Sequence, residues 1–176
     1  MKHTMFIVPY WKYSLKNWSK TKKEIKNIIK QYPYISSKNQ NFLSNRARTT
    51  PEFIEEVARI LENSLQEFAQ EVKQNFKITS AWATAYKKGM DHLLHNHSKS
   101  LFTCIVYVDF DPKFHQGTAF KQPFDQFDSG NVCFIVPEIK EGDMLIVPSN
   151  IEHYGPVNKS TTIKTILAFN LNFYDK

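Results

Sequence analysis

The chain has 176 residues, of which 41% are hydrophobic and 14% aromatic, so it can bury a core and is not a disordered protein. No stretch approaches about 18 consecutive apolar residues, and the apolar run near the N-terminus is broken by Pro9, so we expect neither a membrane span nor export. The cysteines, Cys104 and Cys133, lie in apolar strand-like runs and are expected to be buried free thiols of a cytoplasmic protein.

The net charge of +6 is unevenly distributed along the chain. Residues 1–50 carry eleven Lys/Arg and one acidic residue, whereas residues 51–176 carry twelve Lys/Arg and sixteen acidic residues. A basic segment of this kind would suit a nucleic acid or an acidic partner. Its lysines, however, follow an amphipathic pattern, and no helix-turn-helix, zinc-finger or RNP signature accompanies them. The pattern therefore favours a solvated helix face over a nucleic-acid interface.

The first predicted elements are a short strand over residues 5–10, broken by Pro9, and an amphipathic helix. Ser19 or Thr21 can cap this helix, which runs to about Gln31. Its predicted inward-facing residues are Trp18, Ile25, Ile28 and Ile29.

A second helix is better defined by its start signals. Thr50 is the predicted N-cap, Pro51 occupies the first helical position, and the helix should end near Asn75. Apolar residues at 3.6-residue spacing over residues 53–72 mark a face that packs on the core and could also support a homodimer.

From residue 76 onward the hydrophobic period changes from 3.6 to 2. Short β-branched and aromatic runs are separated by Gly, Pro, Asn and Asp, which predicts about six strands. Two helices followed by these strands indicate an α+β fold, with an antiparallel sandwich or barrel backed by helices. We expect one domain over residues 1–176, in which residues 1–75 are mainly helical support and residues 76–176 form the β core.

Three of the six histidines lie within HLLHNH, at the start of one predicted strand. His95 and His97 are separated by one residue, so on a strand their imidazoles point to the same face and can reach one ion. His153 is the best third ligand, because it follows a strand and a Pro-Ser-Asn turn in EGDMLIVPSNIEHYGPV. A double-stranded β-helix would bring the two places together. Three neutral nitrogen donors would suit Fe(II), Zn, Cu or Ni.

The remaining three histidines are not expected to be metal ligands. His92 is an odd number of residues from His95, so on a regular strand it faces the other way and is expected to be an outer-shell or surface group. His115 lies in a Pro-Lys-Phe-His-Gln-Gly loop and is expected to be exposed, and His3 lies in the N-terminal arm.

The segment YKKGMDHLLHNH resembles the prolyl-4-hydroxylase-type motif Y-x-x-G-x-x-Y-x-x-H-x-D of the 2-oxoglutarate/Fe(II) dioxygenases. Tyr86, Gly89 and His95 match in register. His92 stands where the second Tyr is usual, and His97 stands where the Asp ligand is usual. The resemblance implies a jelly-roll or cupin-like double-stranded β-helix with N-terminal supporting helices.

Later segments extend this resemblance. TCIVYVDF is similar to the family's strand whose tyrosine, here Tyr107, reaches the co-substrate, and HQGTAF matches G-G-x-T-x-F only at its Thr and Phe. Lys164, eleven residues after His153, stands where the family places an Arg or Lys that pairs with the distal carboxylate of 2-oxoglutarate. The alternative for Lys164 is an edge-strand lysine that faces water.

The segments VPYW, SAWATAYKKG, HNHSKS, YVDF and VPSNIEH are similar, over nearly the whole chain, to 2-oxoglutarate/Fe(II) oxygenases of phages and marine bacteria. In that group H-x-H is the usual form, and Arg is commoner than Lys at position 164. If the source is viral, the expected location is the host cytoplasm.

A second resemblance competes with the first. Gly89, His95 and His97 match the opening G-x5-H-x-H of the cupin motif, although the cupin Glu is missing. Gly142 and His153 match its second half, in which Asn150 replaces a Gly. Cupins use the same double-stranded β-helix, so either family implies the same fold.

The first resemblance implies an Fe(II)- and 2-oxoglutarate-dependent oxygenase that uses O2, hydroxylates an unidentified small-molecule or peptidyl substrate, and releases succinate and CO2. The implied metal ligands are His95, His97 and His153, and the implied 2-oxoglutarate contacts are Lys164, Tyr107 and Tyr86. The alternatives are a cupin-type three-histidine enzyme that does not use 2-oxoglutarate, acting as a dioxygenase or isomerase, and a non-catalytic metal-binding module.

Substrate contacts are harder to place from the sequence. Trp82 and the loop Lys121–Asn131 are expected to border the mouth of the pocket. Within that loop, Phe124, Phe127 and Asp128 could contact a substrate or pack the loop itself.

Overall fold

Two antiparallel β-sheets face each other in the computed structural model, which describes residues 7–37, 39–126 and 129–174. The strands of the larger sheet are β1 (Trp11–Ser14), β2 (Ile35–Ser36), β3 (Leu43–Ser44), β4 (Phe76–Tyr86), β6 (Phe102–Asp109), β9 (Asp143–Pro148) and β11 (Lys164–Phe173). Those of the smaller sheet are β5 (His92–His95), β7 (Ala119–Lys121), β8 (Phe134–Ile135) and β10 (His153–Gly155).

The order of the larger sheet is β1-β9-β6-β11-β4-β3-β2, and that of the smaller sheet is β5-β10-β7-β8. From β4 to β11 the chain passes repeatedly between the two sheets, which is the winding of a double-stranded β-helix. The predicted α+β class is therefore confirmed, and the site elements β5 and β10 lie side by side.

Two helices cover the outer face of the larger sheet. The first, α1, spans Trp18–Gln31, and the second, α2, spans Pro51–Val72. The predicted start of α2 at Thr50 and Pro51 is confirmed, but the predicted caps of α1 are wrong. Asn17 occupies the cap position of α1 in the left-handed conformation, which Asn tolerates better than most residues.

The central strands of the larger sheet, β6, β9 and β11, are buried on both faces, because their side chains alternate between the helices and the smaller sheet. The face toward the helices joins one buried cluster that includes Ala81, Ala83, Cys104, Val106, Met144, Ile146, Leu167 and Phe169. The opposite face joins a second cluster that includes Tyr86, Ile105, Tyr107, Leu145, Val147 and Ile166. The second cluster borders the space between the sheets.

Some predicted elements differ from the observed ones. In the predicted strand over residues 5–10, the part from residue 7 onward has no regular structure, and residues 5 and 6 lie outside the described residues, as does His3. The strand begins instead at Trp11, after Pro9 has removed a backbone donor. Among the apolar runs after residue 76 that predict strands is NVCFIVP, residues 131–137, of which only Phe134–Ile135 forms a strand.

The first 75 residues also contribute β1, β2 and β3 to the larger sheet, and the division at residue 75 stays a prediction. Cys104 and Cys133 are free as expected, and Cys133 is only half-buried. Neither helix has the length and hydropathy that a membrane crossing would require within the described part of the chain.

Candidate metal centre

Three histidines converge between the two sheets. His95 ends β5, His153 begins β10, and these two residues are paired across the strands. His97 follows β5, and its backbone N–H donates to the carbonyl of Ser149 at 2.8 Å, which fixes the H-x-H segment to the Pro-Ser-Asn turn. One ligand atom from each of the three histidines lies within 4.8 Å of the others. The juxtaposition expected from the sequence is therefore present.

One ring nitrogen of each histidine, Nδ1, is hydrogen-bonded to an oxygen atom of the protein. Nδ1 of His95 lies 2.7 Å from the carbonyl oxygen of Leu93, and Nδ1 of His153 lies 3.0 Å from that of Ile151. Nδ1 of His97 lies 2.9 Å from Oδ1 of Asn170. Because these oxygens only accept, each Nδ1 carries the proton and each Nε2 presents a lone pair. In this tautomer each histidine can bind a metal ion through Nε2.

The electrostatic environment keeps the imidazoles neutral. Burial lowers the pKa of His153 to about 4, and burial is also the largest cause of the lowered pKa values of His95 and His97. The nearby charge of Arg46 lowers the last two further. At neutral pH the three nitrogens can thus act as ligands without first losing a proton. A set of three neutral nitrogen donors fits a divalent transition metal such as Fe(II), Zn, Cu or Ni.

Asn170 is the residue of this centre that sequence reasoning missed. Its Oδ1 accepts from His97 and also from the Thr103 hydroxyl at 3.1 Å, while its Nδ2 donates to Ser80 Oγ at 3.0 Å. The amide is buried and hydrogen-bonded through both its oxygen and its nitrogen, so its orientation is fixed. The sequence did contain a signal for this role: Asn170 is a polar residue in a mainly apolar strand. It lies an even number of residues from Lys164 and therefore on the same face of the strand.

His92 lies beside the cluster, so the prediction that it faces away is wrong. Its ring stacks on that of His95 with centroids 3.9 Å apart, and its other neighbour is Phe42 at 4.0 Å. The cause is an irregularity in the β5–β10 pairing. His95 and His92, the partners of His153 and Gly155, are three positions apart in β5, whereas His153 and Gly155 are two positions apart in β10. The extra residue reverses the parity on which the prediction rested.

A cavity adjoins the three ligand candidates. It is lined by residues from both sheets, among them Trp82, Thr84, Tyr86, His92, Thr103, Ile105, Thr118, Gly155 and Ile166. Of the three predicted 2-oxoglutarate contacts, Tyr86 lines this cavity directly. Lys164 and Tyr107 lie one layer behind it, since the former contacts the Tyr86 ring and the latter contacts Thr118.

Lys164 is a buried cation without a carboxylate partner among the described residues. Its Nζ donates to the Gln116 carbonyl at 3.2 Å and lies 4.5 Å from the centroid of the Tyr86 ring. Burial lowers its pKa to about 8. The water-facing edge lysine considered above is therefore not what the fold contains.

The two tyrosines are also buried. The hydroxyl of Tyr107 donates to Thr118 Oγ1 at 3.1 Å and accepts from the Thr118 N–H at 3.2 Å. Burial raises the pKa of Tyr107 to about 12 and raises that of Tyr86 as well. Both phenols thus remain protonated and can act as hydrogen-bond donors.

Other predicted residues lie away from the cavity. His115 is buried, contrary to expectation, because it closes a turn by accepting from the Asp111 N–H and contacts Thr162. Trp82 lines the cavity as expected. The described part of the loop 121–131 does not; its first residues, with Phe124, line a separate apolar groove. Phe127 and Asp128 lie outside the described residues.

Comparison with known families identifies the class. A family model described as "Putative 2OG-Fe(II) oxygenase" matches residues 80–170, which is more than half of the chain. The chain belongs to this family of 2-oxoglutarate/Fe(II) oxygenases. The predicted superfamily is confirmed, together with the two cofactors from which it takes its name.

Solved structures share the fold at low sequence identity. The epimerase SnoN from nogalamycin biosynthesis is 8% identical with a TM-score of 0.73, over 94% of this chain and 77% of that one. HygX from Streptomyces hygroscopicus, solved with nickel, 2-oxoglutarate and hygromycin B, is 11% identical with a TM-score of 0.69, over 94% and 83%.

The collagen prolyl hydroxylase vCPH of Paramecium Bursaria Chlorella virus-1, solved with 2-oxoglutarate, is 16% identical with a TM-score of 0.62, over 92% of this chain and 94% of that one. No curated protein sequence matches the chain. The neighbours include both a hydroxylase and an epimerase, so the fold by itself leaves the reaction open.

Proposed function

We propose that this protein is a non-haem Fe(II)/2-oxoglutarate-dependent oxygenase that hydroxylates a small-molecule or peptidyl substrate and releases succinate and CO2. The observation that carries the proposal is the pairing of a three-histidine cluster with a buried lysine that has no carboxylate partner among the described residues. When bound, Fe(II) and 2-oxoglutarate supply oxidative decarboxylation and oxygen transfer. The chain's own residues supply ligands, charge and a shielded cavity.

In this proposal, the Nε2 atoms of His95, His97 and His153 hold the metal. Their Nδ1–H groups donate to the carbonyl oxygens of Leu93 and Ile151 and to Oδ1 of Asn170. The rings therefore stay oriented whether or not the metal is bound. HygX, which shares this fold, was solved with nickel and 2-oxoglutarate bound, and it offers a precedent for a metal ion together with this co-substrate.

Lys164 is the proposed anchor for the distal carboxylate of 2-oxoglutarate. A buried ammonium is costly unless an anion compensates it, and a backbone carbonyl and a tyrosine ring compensate it only in part. An incoming carboxylate would favour the charged form of Lys164 and raise its pKa from about 8. The hydroxyls of Tyr107 and Tyr86 are the proposed additional donors to this co-substrate; the Tyr107 proton, which the Thr118 hydroxyl accepts in the ligand-free structure, would turn to the carboxylate.

The ligand set also has an electrostatic consequence. Three neutral histidines leave the full charge of a divalent metal uncompensated, whereas a site with one carboxylate ligand would reduce it by one. The greater positive charge should favour binding of the dianionic co-substrate. It should also make higher oxidation states of iron harder to reach, and so slow turnover.

An anaerobic optical titration tests the proposal. Iron-loaded protein of known stoichiometry is titrated with 2-oxoglutarate while the visible spectrum is recorded, and we expect a broad charge-transfer band that saturates. Lys164→Met should weaken 2-oxoglutarate binding at least tenfold, whereas Lys159→Met, which removes an exposed lysine, should not. Iron-loaded protein that gives no band at any 2-oxoglutarate concentration would overturn the proposal.

The neutral three-histidine set also supports a second candidate, a cupin-type metalloenzyme that acts without 2-oxoglutarate. Such an enzyme would have no use for a carboxylate anchor, so Lys164→Ala would leave its activity unchanged. Succinate formation in air separates the two candidates, because only the first consumes 2-oxoglutarate.

A further inference from the structure

A second cation lies near the centre, beside Trp82, which is four residues along β4 from Tyr86, the partner of Lys164. A single 3-10 turn over Arg46–Arg48 places the Arg46 guanidinium on the face of Trp82, with Cζ 4.3 Å from the ring centroid. Trp82 is buried, and its ring centroid lies 5.4 Å from that of His97. The indole therefore connects an exposed guanidinium with a proposed metal ligand.

The space beside this guanidinium is a cavity next to the metal centre. Its lining includes Phe42, Arg46, Trp82 and His92, and the last two also line the cavity at the three histidines. Aromatic walls with one cation at the rim are suited to a small organic molecule that carries an anionic group. Such a molecule would lie against Trp82 and His92, close to the proposed metal ligands.

The guanidinium has no acidic partner in the described chain. Arg59, by contrast, forms ion pairs with Glu24 and Glu56. Stacking on the indole restricts Arg46 and leaves the N–H groups at the edge of its planar fork free for an oxyanion.

The co-substrate cannot account for this cation. In the β4–β11 pairing, Lys164 lies opposite Tyr86, whereas Ala168 lies opposite Trp82. Four strand residues separate the two places, which corresponds to about 13 Å. A 2-oxoglutarate molecule bound as proposed uses one carboxylate at the metal and the other at Lys164. No carboxylate of the co-substrate then remains for Arg46.

We propose that the primary substrate is a small organic anion whose carboxylate or phosphate group binds the Arg46 guanidinium, with its apolar part lying against Trp82. This inference rests on the proposed function, because it names the substrate class of the same site. The two groups share the oxyanion chemistry that an Arg fork recognises. Arg46 would position the substrate and would not touch the reacting atoms.

Binding of probe anions can be measured without turnover. Zinc-loaded, 15N-labelled protein saturated with 2-oxoglutarate is titrated with phenyl phosphate, benzoate or neutral benzamide, and the indole N–H signal of Trp82, assigned with Trp82→Phe, is followed. We expect saturable shifts with at least one anion and none with benzamide. The tighter anion distinguishes a phosphate from a carboxylate substrate.

Matched variants assign the effect to one side chain. Arg46→Gln should weaken anion binding at least tenfold, Arg46→Lys should retain part of it, and Arg48→Gln, in the same exposed turn, should leave it unchanged. Equal binding in wild type and Arg46→Gln, or no response to either anion, would overturn the inference and leave Arg46 as a cover over Trp82.

The optical titration keeps this test separate from that of the proposed function. Arg46→Gln with iron should give the same 2-oxoglutarate band as wild type. A loss of that band in Arg46→Gln alone would mean that Arg46 binds the co-substrate, and would overturn the inference. A missing band in the wild type would instead count against the proposed function, whatever the anion probes show.

Discussion

Asn170 acts on the metal centre indirectly, because its side-chain oxygen fixes the ring of His97. Asn170→Leu removes the acceptor for His97 Nδ1–H and leaves the Thr103 hydroxyl without this partner. We expect a loss of metal affinity of about 10–100-fold, measured by anaerobic Co(II) titration. Asn170→Asp retains the acceptor oxygen and should bind metal at least as tightly. Equal affinity in Asn170→Leu and wild type would show that His97 needs no such partner.

Lys164 should destabilise the protein when no anion is bound. Its pKa is about 8 in the folded state against 10.5 when unfolded, so below pH 8 both states are protonated and the full cost of burying the charge is present. As the pH rises from 8 to 10.5 the folded state loses this proton first, so stability increases.

Replacing Lys164 by Met should therefore stabilise the ligand-free protein at pH 7 by up to about 3 kcal/mol and abolish its gain in stability between pH 8 and 10.5. Urea unfolding at pH 7 and pH 10 measures both effects. A less stable variant at pH 7 would mean that the contacts with Gln116 and Tyr86 outweigh the burial cost.

His97 tests the electrostatic argument. His97→Asp introduces the carboxylate that is usual in prolyl-hydroxylase-type motifs and lowers the net charge of the centre. We expect weaker 2-oxoglutarate binding in the optical titration and faster succinate formation in air. A variant that bound iron but turned over no faster would contradict this account.

Strands β11 and β5 show where the period of two correctly predicts the direction of a side chain and where it does not. In β11 the period of two holds from Lys164 to Asn170, so alternate residues face the smaller sheet. Lys164 was singled out by the resemblance to the oxygenase motif, and this period agrees with its buried position. In β5 the same rule failed for His92, because the irregular pairing depends on the spacing of partners in β10, some 60 positions later. Asn170 was missed for a related reason: its partners His97 and Ser80 are distant in sequence.

Helix α2 stabilises the larger sheet from the face away from the site. The Phe68 ring lies edge-on to Trp11 and Phe102 at 5.1 and 5.2 Å and stacks on Phe76 at 5.1 Å. Phe68→Ala should lower the free energy of unfolding by about 3–5 kcal/mol, measured by urea denaturation. Exposed Phe114→Ala is the control. Because Phe68 is remote from the cavity, metal affinity of the folded variant should be unchanged; a parallel loss would mean that the site depends on this packing.

Across the whole molecule, the basic first third is partly neutralised by the acidic remainder. Lys22 pairs with Asp109 and Glu141 at 3.0 and 2.8 Å, and Lys26 also pairs with Asp109. These partners are more than 80 residues away, so the uneven charge along the chain becomes more even once folded. The expectation of a solvated helix face was correct in part, since half-buried Lys22 and exposed Lys26 also fasten α1 to the end of β6.

Acid should destabilise the metal-free protein through its histidines. His153 has a pKa of about 4 when folded and 6.5 when unfolded, so above pH 6.5 it is neutral in both states. Between pH 6.5 and 4 only the unfolded state takes up the proton, and about 3 kcal/mol of stability is lost. His153→Gln should flatten this part of the profile, measured by urea unfolding with a chelator present. Identical slopes for the two proteins would contradict the assignment.

The separation of the two faces of the larger sheet also affects which sulfur-containing side chains are open to oxidation by species that escape from the metal centre. Cys104 and Met144 lie on the helix-facing side, with the backbone of the sheet between them and the cavity. Burial also raises the pKa of the Cys104 thiol, so little of the readily oxidised thiolate forms. Met90 instead packs on the cluster that borders the site. Oxidant that escapes from the site would thus meet the half-buried thioether of Met90 on the same side of the sheet, whereas the sheet shields Cys104 and Met144.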